Sequence, residues 1–232
     1  MNSIPVIRSR YFLSLVIALF VLTAFSVPAP AQTRNAPVLS REKIGYALGA
    51  GIGRNAKNLD IDIDPDMLVR GYRDAMRGQI VMSDQDIKSA LDNYDKEVMT
   101  KLGQKNKREG EAFLKENGQR KVVHTLSGGL QYWILKEGTG RVPKATDIVT
   151  IHYTARLLDG YEVENSHWKN RPVDVPVNQT LKGWAEALTK MPAGSTWRLY
   201  IPPELAYGEA GAGQIIGPNA VLICDLELIS VK

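Results

Sequence analysis

The hydrophobic pattern of the chain changes its period once, near Val122, and this change decides the fold class. Up to residue 118 the apolar residues recur every three or four positions, as on one face of a helix. From Val122 onward they alternate with polar residues in short runs bounded by glycine and proline, which is typical of strands. The 232 residues suffice for two domains with their own cores. We therefore expect an α+β protein with a helical amino-terminal part followed by a sheet.

The first 31 residues have the pattern of a signal peptide. Arg8 and Arg10 precede an apolar run at 11–27, and Ala29-Pro30-Ala31 follows it as a cleavage site. The alternative is a membrane anchor, but 17 apolar residues are near the lower limit for a spanning helix. We expect a bacterial Sec-type signal that is cleaved after residue 31, then a linker at 32–39. The mature protein would reside in the periplasm or at the cell exterior without stable membrane insertion.

The charge of the chain is nearly balanced. The 29 basic residues include Arg8 and Arg10, and the first 31 residues contain no acidic residue, so the remainder carries 27 basic and 25 acidic residues. A nucleic-acid-binding protein concentrates an excess of lysine and arginine on one face. We therefore expect no nucleic-acid partner.

Cap residues divide the segment 40–82 into two short helices, which together form a helical domain. Ser40 is a suitable N-cap for the first helix. Asp64 and Pro65 suit the cap and the first turn of the second helix, and Gly78 suits its end. The alternating aspartates before Pro65 lack the glycine and the closing glutamate of a calcium-binding EF-hand loop. We expect capped helices here and no metal site.

Glycines recur every fourth residue in the first helix, at Gly45, Gly49 and Gly53. This spacing places them on one helix face beside an apolar row. Each glycine costs a helix about 1 kcal/mol relative to alanine, so a compensating close contact with another helix is expected. A phosphate-binding loop is the alternative, but no strand is predicted before the glycines and no Lys-Ser/Thr pair follows them.

The longest periodic segment, at 83–118, predicts one long connecting helix. Ser83 and Asp86 resemble a capping box at its start. Apolar residues at helical spacing occupy the first half up to Leu102, whereas charged and amide side chains dominate beyond it. A helix of about 33 residues would extend over about 50 Å. We expect the stripe in the first half to be buried at one end and the second half to be an exposed stalk in a homodimer. A monomeric three-helix bundle is the alternative.

The stretch 181–208 organises the carboxy-terminal part. Apolar residues at helical spacing begin it, so a short helix with Trp184 pointing inward is expected. A turn at 191–194 leads into a strand at 196–201, in which apolar and polar residues alternate. Two prolines end the strand, because proline cannot donate to the sheet. A loop then brings Tyr207 back towards the helix.

Further alternating runs predict the rest of the sheet. They lie at 130–135, at 147–157 and at 221–229, and a hairpin turn is expected at Leu158-Asp159-Gly160. Strands joined by turns, with one short helix among them, favour an antiparallel sheet wrapped on that helix. Cys224 is the only cysteine, so the chain forms no internal disulfide, and its place in the last run favours a buried small apolar residue over a nucleophile.

The segment from Gly128 to Lys232 resembles an FKBP-type peptidyl-prolyl cis/trans isomerase, or rotamase, and we place the domain at 122–232. The motifs that carry the resemblance are Gly183-Trp184, Met191-x-x-Gly194, Ile201-Pro-Pro-x-Leu-Ala-Tyr-Gly208 and Ile216-Gly-Pro-Asn-Ala-Val-Leu-Ile-Cys-Asp-Leu-Glu-Leu228. The preceding helices resemble the amino-terminal dimerisation domain of the periplasmic and surface members, the FkpA/Mip-like group. The resemblance implies an FKBP-like half-barrel, a V-shaped homodimer and a chaperone role in protein folding. It also implies proline-containing unfolded polypeptides as substrates and macrolides as inhibitors.

The resemblance also implies the roles of individual residues. Trp184 would form the floor for the proline ring, the hydroxyl of Tyr207 and the backbone N–H of Leu181 would donate to substrate carbonyls, and Tyr153 and Glu164 would complete the catalytic set. The implied substrate-binding residues are Val163, Val173, Thr180, Ile215, Ile216 and Cys224. Such a site needs no cofactor and no metal, because it lowers the barrier of about 18–20 kcal/mol for rotation of an amide.

Several pocket positions depart from the family pattern. Val163-Glu164 replaces the usual Phe-Asp, Val173 replaces an aromatic residue, Thr180 a valine and Cys224 a phenylalanine. Losing three rings enlarges the pocket and weakens the exclusion of water, since an aromatic ring buries more area than valine or cysteine. His167-Trp168 either folds in to replace one ring or forms an exposed bulge.

Two functions therefore remain open at the level of the sequence. The first is an exported isomerase and folding helper that acts on X-Pro bonds of unfolded clients, and the retained Trp184 and Tyr207 favour it. The second is a dimeric chaperone or binding module with a degenerate, weakly active pocket, which Val163, Val173 and Cys224 favour.

Overall fold

The computed structural model describes residues 40–126, 128–169 and 171–232. Its α-helices are α1 Arg41–Leu59, α2 Pro65–Arg77, α3 Asp84–Asn117 and α4 Lys182–Leu188. Its strands are β1 His124–Thr125, β2 Gln131–Lys136, β3 Ile148–Arg156, β4 Glu162–Asn165, β5 Val173–Pro176, β6 Thr196–Ile201 and β7 Leu222–Val231. The expected signal peptide and linker lie outside the described residues. Within the described ranges, no helix combines the length and the apolar character needed to cross a membrane.

The first three helices begin at the predicted cap residues. The Ser40 hydroxyl accepts a hydrogen bond from the Lys43 N–H at 3.3 Å, and the Asp64 carboxylate accepts from two N–H groups of α2. The Ser83 hydroxyl accepts from the Asp86 N–H at 3.1 Å and donates to the Asp86 carboxylate at 2.7 Å. Gly78 ends α2 with φ +67°. These cap hydrogen bonds join residues close in sequence, so they form regardless of what packs against the helices.

Most of the apolar surface of α1 and α2 is left uncovered within one chain, although Ala56 and Leu59 at the end of α1 are buried. A methyl group added at Gly45, Gly49 or Gly53 would meet nothing within 4 Å. No residue of α2 is buried. The close packing predicted for the glycines is therefore not made inside the chain. The exposed large apolar residues of the two helices are Ile44, Tyr46, Leu48, Ile52, Met67, Leu68, Val69, Tyr72 and Met76.

The second half of α3 packs against the sheet domain, so the prediction of an exposed stalk beyond Leu102 was wrong. Gly103, Gly110 and Asn117 are buried and lie seven residues apart, on one side of the helix. A Cβ at Gly110 would lie 2.8 Å from a methyl of Val221, so this glycine lets the helix approach the sheet domain. The first half is the more open part, since Leu91 is 57% exposed and the predicted burial is not reached within one chain.

An amide cluster fixes the end of α3 to the sheet. Asn117 donates to the side chain of Gln131 on β2 at 2.9 Å, and Gln131 donates in turn to the Leu114 carbonyl at 2.7 Å. Arg120 donates to the side-chain amide oxygen Oδ1 of Asn117 at 3.0 Å. Because both amides are buried, loss of one partner would leave the other unpaired at a cost of about 1–3 kcal/mol. The helix therefore ends as part of the sheet domain.

The predicted antiparallel half-barrel sheet is confirmed. Its strand order is β1-β2-β6-β7-β3-β4, with β5 paired to β3, and all pairs are antiparallel. The short helix α4 lies on the inner face, where its Ala187 and Leu188 are fully buried. The sheet contributes most of the remaining core, which includes Leu130, Val149, Ile151, Leu199, Ile201, Leu222, Leu226 and Leu228.

Strand β6 is buried on both faces. Trp197, Leu199 and Ile201 point into the core as their alternation predicts. Tyr200, on the opposite face, is also only 3% exposed. Phe113 of α3 covers it, with 5.8 Å between the ring centroids. The long helix therefore adds a second, smaller layer to the outer face of the sheet.

Candidate active site

The candidate site is built on Trp184 in α4. Trp184 is 8% exposed and belongs to the core of the sheet domain. The Tyr153 ring, from β3, meets it edge-on with 4.7 Å between the ring centroids and 63° between the planes. The two rings form an apolar floor, in the geometry that aromatic pairs prefer.

Close packing of α4 on β6 sets the position of Trp184. A Cβ at Gly183 would lie 2.6 Å from a methyl of Ile201, so only glycine allows this approach. Leu181 is the N-cap of α4, and its carbonyl accepts from the Ala185 N–H at 2.9 Å. Among the described residues, no acceptor is paired with the Leu181 N–H. This amide can therefore donate to a bound chain.

Tyr207 reaches the site from the loop that follows β6. Its side chain is 38% exposed. Burial raises the pKa of its hydroxyl, and the Glu164 carboxylate and the Cys224 thiol nearby raise it further. The hydroxyl therefore keeps its proton and remains a donor at neutral pH. A tyrosine of this loop and an acid of β4 thus meet at one rim of the floor.

Glu164 also affects the second tyrosine. The pKa of Tyr153 is raised strongly, by burial first and then by the neighbouring Glu164 carboxylate. Tyr207 contributes in the same direction. Two neutral hydroxyls therefore face one exposed carboxylate above the floor. Tyr153, Glu164, Trp184 and Tyr207 are brought together by four different elements.

Cys224 lies beneath this cluster and is completely buried. On β7 it pairs with Leu199 of β6 and Ala155 of β3. Burial raises the pKa of its thiol to about 12. The thiol is therefore protonated and unreactive, as expected for a buried small apolar residue. The indole N–H of Trp184 has no hydrogen-bond partner among the described residues.

The remaining predicted residues line the edge of the site to different degrees. Val163 and Ile216 pack against the core and are partly buried. Ile215 is 52% exposed. The Thr180 hydroxyl donates to the Val177 carbonyl at 2.8 Å and is thus tied to its own turn.

Val173 is half-buried, pairs with Ile151 and does not join the core cluster. Because Val173 and Val163 are partly exposed, the missing rings leave the rim open.

His167-Trp168 does not replace a missing ring. Trp168 is 67% exposed, so the bulge alternative is the observed one. His167 instead stacks on His152, with 4.1 Å between the ring centroids. The short 3-10 turn that carries both residues, Ser166–Lys169, follows β4 directly.

Ser166 is a buried polar residue of the site that the sequence did not reveal. Its hydroxyl accepts from the Tyr153 N–H at 2.8 Å and pairs with His152 Nδ1 at 2.8 Å. It is 4% exposed. It therefore fixes the end of β4 against the strand that carries Tyr153. A single serine after a short strand gives no periodic signal, so only the three-dimensional contact identifies it.

Comparison with known proteins assigns both parts of the chain. Residues 139–229 match the family described as FKBP-type peptidyl-prolyl cis-trans isomerase, and residues 41–134 match the domain amino terminal to FKBP-type peptidyl-prolyl isomerase. The chain is 38% identical over 228 residues to the outer membrane protein MIP of Legionella longbeachae, covering 95% of this chain and 98% of that protein. It is 36% identical over 200 residues to the peptidyl-prolyl cis-trans isomerase Mip of Coxiella burnetii, covering 83% and 87%.

A solved structure shows the same architecture. The crystal structure of FkpA from Escherichia coli superposes with a TM-score of 0.60 at 36% identity, covering 82% of this chain and 95% of that one. A peptidyl-prolyl cis-trans isomerase from Pseudomonas syringae superposes with a TM-score of 0.53 at 33% identity, covering 56% and 95%.

Proposed function

Since the chain belongs to the FKBP-type peptidyl-prolyl cis-trans isomerases and is such an enzyme, we propose that it is an exported folding helper for unfolded client proteins. Its substrates would be X-Pro bonds, and its active site the cluster around Trp184. The observation that carries the proposal is the buried Trp184 with Tyr153 edge-on at 4.7 Å and the partly exposed Tyr207 at the rim. This arrangement offers a ring-sized apolar floor beside a neutral hydroxyl donor.

The floor acts on the resonance of the substrate amide. An X-Pro bond rotates slowly because its planar form is stabilised by charge separation between oxygen and nitrogen. At the twisted transition state the resonance and much of that charge separation are lost. An apolar surface that excludes water therefore favours the twisted form over the planar one. In this proposal Trp184 receives the proline ring and Tyr153 closes its side.

The polar groups hold the client chain while its amide rotates. The Tyr207 hydroxyl donates to one substrate carbonyl, and the unpaired Leu181 N–H donates to another. The Glu164 carboxylate raises the pKa of both tyrosine hydroxyls, so both keep their protons. Fixed donors lower the entropy that must be lost at the transition state.

A dimeric chaperone with a degenerate pocket is the second candidate. It is favoured by the small residues Val163, Val173 and Cys224, and clients would then bind in the cleft between the two arms of the homodimer, away from Trp184. In that case the pocket would contribute little to folding.

Export and domain organisation belong to the proposal. We divide the chain into a signal peptide at 1–31, a linker at 32–39, a helical dimerisation domain at 40–82, a connecting helix at 83–118 and the isomerase domain at 122–232. The pattern of residues 1–31 supports export, and a relative similar over 95% of this chain is named an outer membrane protein. Two isomerase domains in one homodimer would capture a client at two prolines, which raises avidity without new contacts.

The test is the cis-to-trans relaxation of short Leu-Pro and Phe-Pro peptides with the mature chain, beside the variants Trp184→Ala and Tyr207→Phe. We expect acceleration by the wild type and a loss of at least tenfold in both variants. Tyr161→Phe is the matched control, because Tyr161 is exposed on the hairpin before β4. No acceleration by a chain that still suppresses aggregation of a client would favour the chaperone instead.

A further inference from the structure

The loop that carries Tyr207 is held from outside the isomerase domain. We define the Tyr207 loop as residues 202–221, between β6 and β7. It also carries Ile215 and Ile216. Its backbone is unusual at Asn219, a non-glycine residue with φ +55°. Asparagine adopts this left-handed conformation more readily than other non-glycine residues, and here its side chain also contacts α3.

The connecting helix α3 supplies those contacts. Asn106 Nδ2 donates to the Pro218 carbonyl at 2.8 Å, and Asn219 Nδ2 donates to the Gly103 carbonyl at 3.4 Å. Glycines on both sides permit a close approach. A Cβ at Gly103 would lie 3.1 Å from Pro218, and one at Gly217 would lie 2.7 Å from Leu102.

The contact continues from Asn219 to the residue next to Tyr207. The Asn219 N–H donates to the Gly208 carbonyl at 2.9 Å, which closes the loop at its base. Gly208 has φ +61° and directly follows Tyr207. Within the loop, Ala212 and Ile216 exchange two backbone hydrogen bonds, at 2.8 and 3.1 Å. These bonds fix Ile216 against Ala212 within the loop.

A cavity interrupts the packing between the Tyr207 loop and α3. A cavity of about 180 Å³ remains between α3 and the loop, lined among others by Asn106, Gly110, Gly208 and Asn219. A loop beside a cavity depends on its hydrogen bonds for position, since few atoms contact it on that side.

We propose that Asn106 of the connecting helix is a positioning residue for catalysis, acting through Pro218, Asn219 and Gly208 on the Tyr207 hydroxyl. The inference rests on the proposed use of Tyr207 as a donor to substrate. It couples the helical part to the site, because α3 contacts the loop that carries Tyr207.

The variants Asn106→Ala and Asn106→Asp, in the mature chain, test this position. Alanine removes the donor, and aspartate keeps the shape but presents only acceptors to the Pro218 carbonyl. Both variants are expected to lower kcat/KM for a Phe-Pro peptide about 3- to 10-fold, the range of one lost hydrogen bond. Asn93→Ala, at an exposed asparagine of the same helix, is the matched control and should change it less than twofold.

A double-mutant cycle separates positioning from general loss of structure. If Asn106 acts through Tyr207, Asn106→Ala has little further effect in a Tyr207→Phe background. If the losses multiply in the two backgrounds, or if Asn106→Ala alone changes kcat/KM less than twofold, the inference is overturned.

Hydrogen exchange at the Asn219 amide is a readout that needs no activity. Asn106→Ala should accelerate this exchange at least tenfold, whereas Asn93→Ala should not. An inactive wild-type chain would contradict the proposed function. Unchanged exchange at Asn219 would contradict the inference whether or not the enzyme is active.

Discussion

Trp184 is buried almost completely, yet its indole N–H is left without a partner among the described residues. A neighbouring aromatic ring would offer its π-face to this N–H, whereas Cys224 offers only a small sulfur atom. The substitutions at Val163 and Val173 are different, because both side chains are partly exposed at the rim. The three missing rings therefore have two effects. Cys224 leaves less aromatic surface under Trp184, and Val163 and Val173 leave the rim open to water.

Restoring a rim ring should strengthen the site. Val163→Phe adds an aromatic surface beside the floor, and an aromatic contact contributes about 0.5–1.5 kcal/mol beyond its buried area. We expect kcat/KM for a Phe-Pro peptide to rise about 3- to 10-fold. Val142→Phe, at an exposed valine away from the site, is the control. No increase, or an equal increase in both variants, would show that the missing ring does not limit catalysis.

The raised pKa values of Tyr153 and Tyr207 predict the alkaline limit of the enzyme. Both hydroxyls keep their protons above the ordinary tyrosine pKa of about 10, so both remain donors there. We expect kcat/KM to be flat from pH 7 to about pH 10 and to fall only above it. Because deprotonation costs more in the folded state than in the unfolded one, stability contributed by these groups is also lost only above about pH 10.

A pH–rate profile with tyrosinate absorbance measured in parallel tests this prediction. Activity that falls as an ordinary tyrosine titrates would contradict it.

At the scale of elements, helix ends and the strands around Trp184 could be predicted from sequence because their signals are local. Ser40, Asp64 and Ser83 cap helices through hydrogen bonds within three residues. The docking of the second half of α3 could not be predicted in this way. Its contact is made by Gly103 and Gly110, which have no side chain and so leave no mark in a hydrophobic pattern.

Gly110 of α3, which contacts Val221, allows a prediction of how an alanine substitution changes the free energy of unfolding. Gly→Ala in a helix gains about 1 kcal/mol where there is room. Gly51 has nothing within 4 Å, so Gly51→Ala should raise the free energy of unfolding by up to about 1 kcal/mol. At Gly110 the new methyl would lie 2.8 Å from Val221, and overpacking costs about 1–3 kcal/mol.

Gly110→Ala should therefore lower the free energy of unfolding by about 1 kcal/mol, measured by urea denaturation. If Gly110→Ala stabilises the chain as much as Gly51→Ala does, α3 is not docked as described.

For the whole molecule, a family resemblance implied the site residues, and hydrophobic periodicity predicted the apolar faces of the helices. The sequence could indicate which face of α1 and α2 is apolar. It could not show that the chain itself leaves this face open, since that depends on where α3 and the sheet domain lie. An open apolar face of this size favours association, because soluble proteins rarely expose large contiguous apolar patches.

If the chain forms the proposed homodimer, its mass in solution depends on concentration, and one charged residue placed in the interface should prevent dimerisation. Tyr72 on α2 is 68% exposed within one chain. Tyr72→Lys would bury a lysine in the proposed interface, so light scattering should report a monomer for this variant and a dimer for the wild type. Tyr161→Lys, at an exposed tyrosine of the sheet domain, should remain dimeric. A monomeric wild type at micromolar concentration would contradict the dimer.

We expect the pocket around Trp184 to catalyse the folding of whole proteins. The decisive experiment is the refolding of a client whose slow phase is X-Pro isomerisation, with the mature wild type and with Trp184→Ala at equal concentration. We expect the wild type to accelerate the slow phase and Trp184→Ala to leave it at the uncatalysed rate while remaining folded and dimeric. Equal acceleration by both proteins would contradict the account and place the folding activity outside the pocket.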